Sequence, residues 1–288
     1  MNDNKIIDGK MVSGIIKNRL KEEVEKLKEN DVKIGLAVII VGEDKASRIY
    51  VNNKKRTCEE LGICSEEHAL PENVTMDEML ELIDNLNERE EISGILVQLP
   101  IPKHLDESRI ISRISPLKDV DAFHPVNVGK IMVGNFDFVP CTPAGIMELL
   151  KYYNVDISGK HCVVIGRSNI VGKPMAMLLL KENGTVTICH SKTKNLNEIT
   201  KTADIIVVAV GKKDFLNSDM VKEGAVVIDV GINRRSEDNK ICGDVNFNDV
   251  YDKVSLITPV PGGVGPMTIS MLMKNTINAA KLNSKRKV

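Results

Sequence analysis

Short runs of β-branched residues, separated by stretches of helical periodicity, recur along the chain, and this alternation constrains the fold more than any other feature. "IGLAVIIVG" (Ile34 to Gly42) is almost continuously apolar, as expected of a strand covered on both faces. A helix is expected from about Asp44, with Gly62 placed to stop it. A weaker strand near Ile63 to Leu70 leads to "VTMDEMLELIDNLNE", where Thr75 and Glu78 form a capping-box pattern. "GILVQLP" is the next strand and "DESRIISRIS" the next helix. Repeated β-α units of this kind predict a parallel sheet with helices on both faces.

The passage from Lys118 to Gly145, "KDVDAFHPVNVGKIMVGNFDFVPCTPAG", reads as too irregular for a core element and marks a domain junction. Thr142 and Pro143 then read as N-cap and N1 of the helix "AGIMELLKYY". A second series follows: strands "HCVVIG", "TVTICH", "DIIVVAVG", "AVVIDVGI" and "VSLITPV", with the helix "GKPMAMLLLKENG" after the first. A final helix, "TISMLMKNTINAAKL", is free by its spacing to dock on either half. A chain of 288 residues accommodates two such domains.

The bulk numbers exclude several classes. Net charge is -1, so no general attraction to nucleic acid or anionic membrane is expected. Six cysteines are scattered without a C-x-x-C pair, which supports neither a zinc site nor a disulfide framework. "MNDNKIIDGK" has charges where a signal peptide needs an apolar stretch. No window approaches the roughly 20 apolar residues of a membrane span. The expectation is a soluble cytoplasmic protein with no metal.

The turn "GRSNIVGKP", from Gly166 to Pro174, joins a strand to a helix inside a βαβ unit. There a dinucleotide pyrophosphate meets close backbone and a helix N-terminus. Only Gly166 and Gly172 of a G-x-G-x-x-G pattern are present, so a purely structural β-α turn stands beside the nucleotide reading. At the end of the next strand, "CHSKTK" has no carboxylate for a ribose hydroxyl pair. Arg167 and Ser191 suit a 2′-phosphate instead, so a dinucleotide bound here is expected to be NADP.

In the first half, Tyr50 and Lys54 are one helical turn apart. The apolar stripe of their helix is read through Ala46, Ile49 or Tyr50, Asn53, Thr57 and Leu61, which puts the pair at its edge. Gln98 interrupts an apolar strand near its carboxyl end, either as a satisfied core amide or as a partner for a lysine or substrate. Asp119, Asp121 and His124 share a loop, as solvated turn-formers or as a carboxylate site for an amino-pyrimidine ring. "TPVPGGVGPMT" combines prolines and glycines as a ligand-closing loop does.

These segments resemble the bifunctional methylenetetrahydrofolate dehydrogenase/methenyltetrahydrofolate cyclohydrolase family. The matching motifs are "YVNNKKRTCEELGI", "GILVQLPIP", "KDVDAFHPVNVGK", "PCTPAGIMELL", "VVIGRSNIVGKPMAMLL" and "TPVPGGVGPMTISML". Glycine in place of Ala122 would be more typical of the family. The resemblance implies a two-domain α/β fold: a catalytic domain over 1–139 completed by the C-terminal helix 267–288, and a Rossmann-like NADP-binding domain over 140–266. It implies NADP-dependent oxidation of 5,10-methylenetetrahydrofolate, hydrolysis of the methenyl product to 10-formyltetrahydrofolate, and a homodimer. Lys54 would be the central catalytic residue, with Tyr50 positioning the folate, Gln98 bonding Lys54 and Asp121 anchoring the pterin. Val97, Leu99, Pro261, Gly262 and Gly263 would border the folate, and Gly166, Arg167, Ser168, Ser191 and Ile232 the NADP. A dehydrogenase lacking the hydrolytic step, or a silent binding protein, are the competing readings.

Overall fold

A computed structural model describes residues 5–235 and 240–285. The elements run α1 (Gly9–Glu29), β1 (Gly35–Val41), α2 (Lys45–Leu61), β2 (Cys64–Leu70), α3 (Met76–Glu88), β3 (Gly94–Val97), α4 (Glu107–Arg113) and α5 (Pro125–Met132). They continue with α6 (Cys141–Tyr152), β4 (His161–Ile165), α7 (Gly172–Lys181), β5 (Thr185–Cys189), α8 (Leu196–Thr200) and β6 (Ile205–Val208). The remainder are β7 (Val226–Asp229), β8 (Asn233–Arg234), β9 (Ile241–Cys242), α9 (Phe247–Val250), β10 (Leu256–Ile257) and α10 (Val264–Lys285).

Contacts divide the chain into two compact units. One holds Ile15–Cys141 with the residues from Ile269 on; the other holds Thr142–Thr268 with the residues up to Gly14. The sequence reading places the opening residues with the first half. Their grouping with the second follows from pairing: Ile7 N donates to Ile257 O and Ile257 N to Lys5 O, each at 2.8 Å.

The first unit is built on a parallel sheet in the order β2-β1-β3. β1 is buried along its whole length, as its unbroken apolar run requires. Ala37, Ile39 and Val41 share one face by strand alternation and pack with Met79, Ile83 and Leu86 of α3 and Ile110 of α4. Both ends of α2 are determined locally. Asp44 accepts a capping hydrogen bond from Ser47 N at 2.7 Å, and Gly62 ends the helix at φ 74°, where a Cβ would be strained. The Thr75–Glu78 capping box opens α3 as expected.

Two expectations need correction. The passage from Lys118 to Gly145 is not wholly irregular, because it contains α5. His124 caps that helix by accepting from Val126 N at 3.1 Å, and Pro125 takes its first position, so "HP" is a helix start and not a break. In α6, Thr142 is not the N-cap: the helix already begins at Cys141, and the Thr142 hydroxyl lies 3.2 Å from the Thr268 hydroxyl.

The second unit carries a parallel five-stranded sheet in the order β10-β7-β6-β4-β5. Its core joins Val163 and Ile165, Ile206 and Val208, and Val227 to Leu216, Met220 and Val250. Strand order reverses between β4 and β6, and open α/β sheets bind ligands at the carboxyl ends of such strands. Among the described residues, no helix is long and apolar enough to cross a membrane.

Candidate active site and nucleotide turn

The buried stripe of α2 differs from the one read in sequence. Ser47, Val51, Cys58 and Leu61 are buried, with Thr57 beside them, while Ile49 is 54% and Tyr50 41% exposed. The side chain of Ala46 lies outside the described residues. Lys54 falls between Val51 and Cys58 at helical spacing and therefore on the buried side. Small polar residues, serine and cysteine, cover this stripe, and so apolar periodicity alone misplaces it.

Lys54 Nζ donates to Gln98 Oε1 at 2.8 Å. An ammonium or amine head has donors for this contact, so the amide oxygen faces it. Gln98 Nε2 donates in turn to Leu99 O at 2.7 Å, which fixes the amide's orientation. The backbone holds Gln98 as well, through Gln98 N to Ile39 O at 2.8 Å, just beyond the carboxyl end of β3.

Burial pushes the Lys54 ammonium down from its usual range, and Asp121 opposes that shift. Burial raises the Asp121 carboxyl to about 6, with Lys54 pulling it down and Asp119 pushing it up. The Cys141 thiol points its sulfur at Asp121 Oδ1 and at Val120 O, 3.7 Å from each. Burial, and after it the Asp121 charge, raise that thiol well above its ordinary range. It is a poor nucleophile there.

The two loop aspartates divide their work. Asp119 is consumed by the loop itself, accepting from His124 N at 2.8 Å, Phe123 N at 3.2 Å and Asn127 Nδ2 at 2.8 Å. Asp121 is left to the lysine. Ala122, directly after Asp121, sits at φ 59°, in the left-handed region that suits glycine better than alanine. Val97, Leu99, Asp121 and Phe123 line a common depression with Asp119. Asn275 of α10, which the sequence reading passes over, donates to Val120 O at 2.8 Å and Val139 O at 2.9 Å.

In the second unit the β4–α7 turn fits a dinucleotide. Gly166 has φ 136°, and a Cβ there would stand 2.4 Å from Ala209 O. A Cβ on Gly172 would stand 2.2 Å from Gly166 O. The absence of both side chains brings backbone close to the switch point. Ser168 Oγ accepts from Val171 N and Gly172 N at 3.2 and 3.3 Å and shapes the entry to α7. Arg167 and Ser191 are exposed, and Ile232 is 55% exposed after β7. The loop of Pro261, Gly262 and Gly263 opens α10. Gly262 O accepts from Lys10 N at 3.0 Å, and a Cβ on Gly9 would stand 1.8 Å from Gly263 O.

A chain that carries a turn suited to a dinucleotide in one unit and a desolvated lysine in the other has the parts of a nucleotide-dependent enzyme. Residues 7–121 match the tetrahydrofolate dehydrogenase/cyclohydrolase catalytic domain, and residues 140–284 match the NAD(P)-binding domain of the same family. The bifunctional protein FolD of Acetivibrio thermocellus is 63% identical over 283 residues, 98% of this chain and 99% of that one. The crystal structure of the bifunctional FolD enzyme of Campylobacter jejuni has a TM-score of 0.94 at 52% identity, covering 96% of this chain and 98% of that one. The Trypanosoma brucei enzyme, solved with NADP and an inhibitor, has a TM-score of 0.93 at 40% identity, covering 97% and 98%. The chain belongs to the tetrahydrofolate dehydrogenase/cyclohydrolase family and carries both of its domains.

Proposed function

We propose that the protein oxidises 5,10-methylenetetrahydrofolate with NADP⁺ and hydrolyses the resulting methenyl compound to 10-formyltetrahydrofolate. The observation that carries this reading is the Lys54–Gln98 hydrogen bond at 2.8 Å on a buried helix face, within a chain that holds both family domains. Bound NADP⁺ supplies the acceptor for the hydride of the one-carbon bridge. Gly166, Arg167, Ser168, Ser191 and Ile232 would hold it, with Arg167 offering its guanidinium for the 2′-phosphate.

In the hydrolytic step Lys54, whose burial favours the neutral amine, takes a proton from the water that bonds to the methenyl carbon. The carbon–N5 bond then breaks, the hydroxyl proton of the adduct passes to N5, and Lys54 releases its own proton to solvent. Gln98 holds the lysine in place without adding a charge that would keep it ammonium. Asp121 anchors the pterin amino-pyrimidine, and Tyr50 positions the folate by its ring. Val97, Leu99, Pro261, Gly262 and Gly263 contribute to folate binding. We place the protein in the cytoplasm as a homodimer.

A coupled assay of both steps with each cofactor tests the reading. Expected are NADP-dependent turnover of the methylene substrate and direct turnover of methenyltetrahydrofolate above its spontaneous rate. Accumulation of the methenyl compound would leave a dehydrogenase alone.

A further inference from the structure

Asp244 is fully buried, and four donors converge on its carboxylate. Oδ2 accepts from Val210 N at 2.7 Å and Gly211 N at 3.0 Å. Oδ1 accepts from Lys212 N at 2.9 Å and from Asn233 Nδ2 at 2.8 Å. The first three donors are consecutive amides of the turn after β6, directly following Ala209, the residue that approaches Gly166. The fourth belongs to Asn233, the first residue of β8.

A second buried carboxylate continues the arrangement. Asp229 accepts from Gly231 N and Asp244 N at 2.9 Å through Oδ1, and from Val245 N at 2.9 Å through Oδ2. Ile232 is therefore held on both sides, by Gly231 through Asp229 and by Asn233 through Asp244, yet remains 55% exposed. The glycines leave no slack: a Cβ on Gly231 would stand 2.3 Å from Asp244 Oδ1, and one on Gly243 1.8 Å from Asp229 Oδ2. Ile232 is thus an exposed apolar side chain whose two chain neighbours are tied to buried carboxylates. Only a carboxylate offers two oxygens with lone pairs for four converging donors.

We propose that Asp244 is a positioning residue for the cofactor, holding the Val210–Lys212 turn and the Ile232 loop in one arrangement at the carboxyl end of the sheet. The proposal rests on the reading of Gly166 to Ile232 as the NADP site. It acts through backbone amides and through Ile232 rather than by touching the reacting atoms.

The test uses the full-length chain and two independent readouts: NADP⁺ affinity by calorimetry, and hydrolysis of methenyltetrahydrofolate without cofactor. In Asp244→Asn one carboxylate oxygen becomes an NH₂ that faces N–H donors. The expected result is an NADP⁺ Kd at least tenfold higher, with cofactor-free hydrolysis within twofold of the parent. Asn233→Ala removes one of the four donors to Asp244, together with a hydrogen bond to Gly243 O at 3.1 Å, leaves the buried carboxylate in place, and is expected to raise the Kd three- to tenfold; it decides the matter should Asp244→Asn fail to fold. Arg167→Ala is the control for the site. Weaker binding in Arg167→Ala but unchanged Kd in Asn233→Ala and in folded Asp244→Asn overturns the positioning role alone. Unchanged binding in all three variants overturns the site itself. A parallel fall of NADP⁺ affinity and hydrolysis in the tested variants reduces Asp244 to a purely structural group and also overturns the proposal.

Discussion

Lys54 and Gln98, 44 residues apart in sequence, meet head to head, and the glutamine is itself oriented by Leu99 O. Gln98→Glu is nearly isosteric but puts a negative charge where the amide oxygen was. At an effective dielectric of ~20, unit charges ~3 Å apart attract by ~5 kcal/mol, which favours ammonium. The ascending limb of the cyclohydrolase pH–rate profile is expected to move at least about two units to higher pH. A profile that stays in place would mean that neutral Lys54 is not the base.

In the proposed mechanism, Lys54→Ala removes the proton acceptor while leaving the second unit untouched. Cyclohydrolase turnover is expected to fall by at least ~100-fold, the usual scale of general base catalysis, with NADP⁺ affinity within about threefold of the parent. Stopped-flow absorbance of methenyltetrahydrofolate gives the first quantity and calorimetry the second. Normal hydrolysis by this variant would sink the lysine mechanism.

Asp121 trades stability for function. Its carboxyl is raised to about 6 by burial, against an unfolded value near 3.9. The folded state thus binds more protons between those values, so stability present below about pH 4 is lost as pH rises through about 6. Asp121→Asn is expected to remove that share of the pH dependence and to stabilise the protein at pH 7 by at most ~3 kcal/mol, while folate binding is lost. Urea denaturation at pH 4.5 and 7 measures the slope; an unchanged slope would mean that Asp121 is not the titrating group.

How far the sequence disclosed this architecture depended on the range of the signal. Strand and helix identities came from local periodicity and capping, as in β1 and the Thr75–Glu78 box, and the structure contains both. Where polar residues do apolar duty the pattern misleads: Ser47 and Cys58 line the buried face of α2, which moved Lys54 from the stripe's edge to its middle. Carboxylates are harder still. Asp119 is open in sequence to reading as a solvated turn-former, yet it is buried against backbone amides, as are Asp229 and Asp244, which the sequence reading passes over. Long-range pairs such as Gly166 with Ala209 have no local signature at all.

Asn275 tests whether α10 supports the Asp121 loop. Its amide donates to Val120 O and Val139 O from a buried position. Asn275→Leu, similar in volume, would leave both carbonyls without that donor at a cost of ~1–3 kcal/mol each. The expected loss of stability is ~2–6 kcal/mol, read by urea denaturation. Folate KM should rise with NADP⁺ affinity unchanged, because Val120 precedes Asp121 and the NADP turn lies in the other unit. A stability loss below ~0.5 kcal/mol would show that the two carbonyls find other donors.

On the proposed reading, Arg167 sets the cofactor preference. It is exposed at the β4–α7 turn, and the end of β5 beside it has no carboxylate to hold a ribose hydroxyl pair. Arg167→Ala therefore removes a charge-assisted contact that only a 2′-phosphate can make. Loss of such a contact is worth ~1.5–3 kcal/mol, or roughly 10- to 100-fold in NADP⁺ affinity, while NAD⁺ affinity should change less than about threefold. Added salt should narrow the difference between the cofactors in the parent protein, since an exposed ion pair is screened, and should do little in the variant. Equal losses for NADP⁺ and NAD⁺ would show that Arg167 meets the shared pyrophosphate and not the 2′-phosphate.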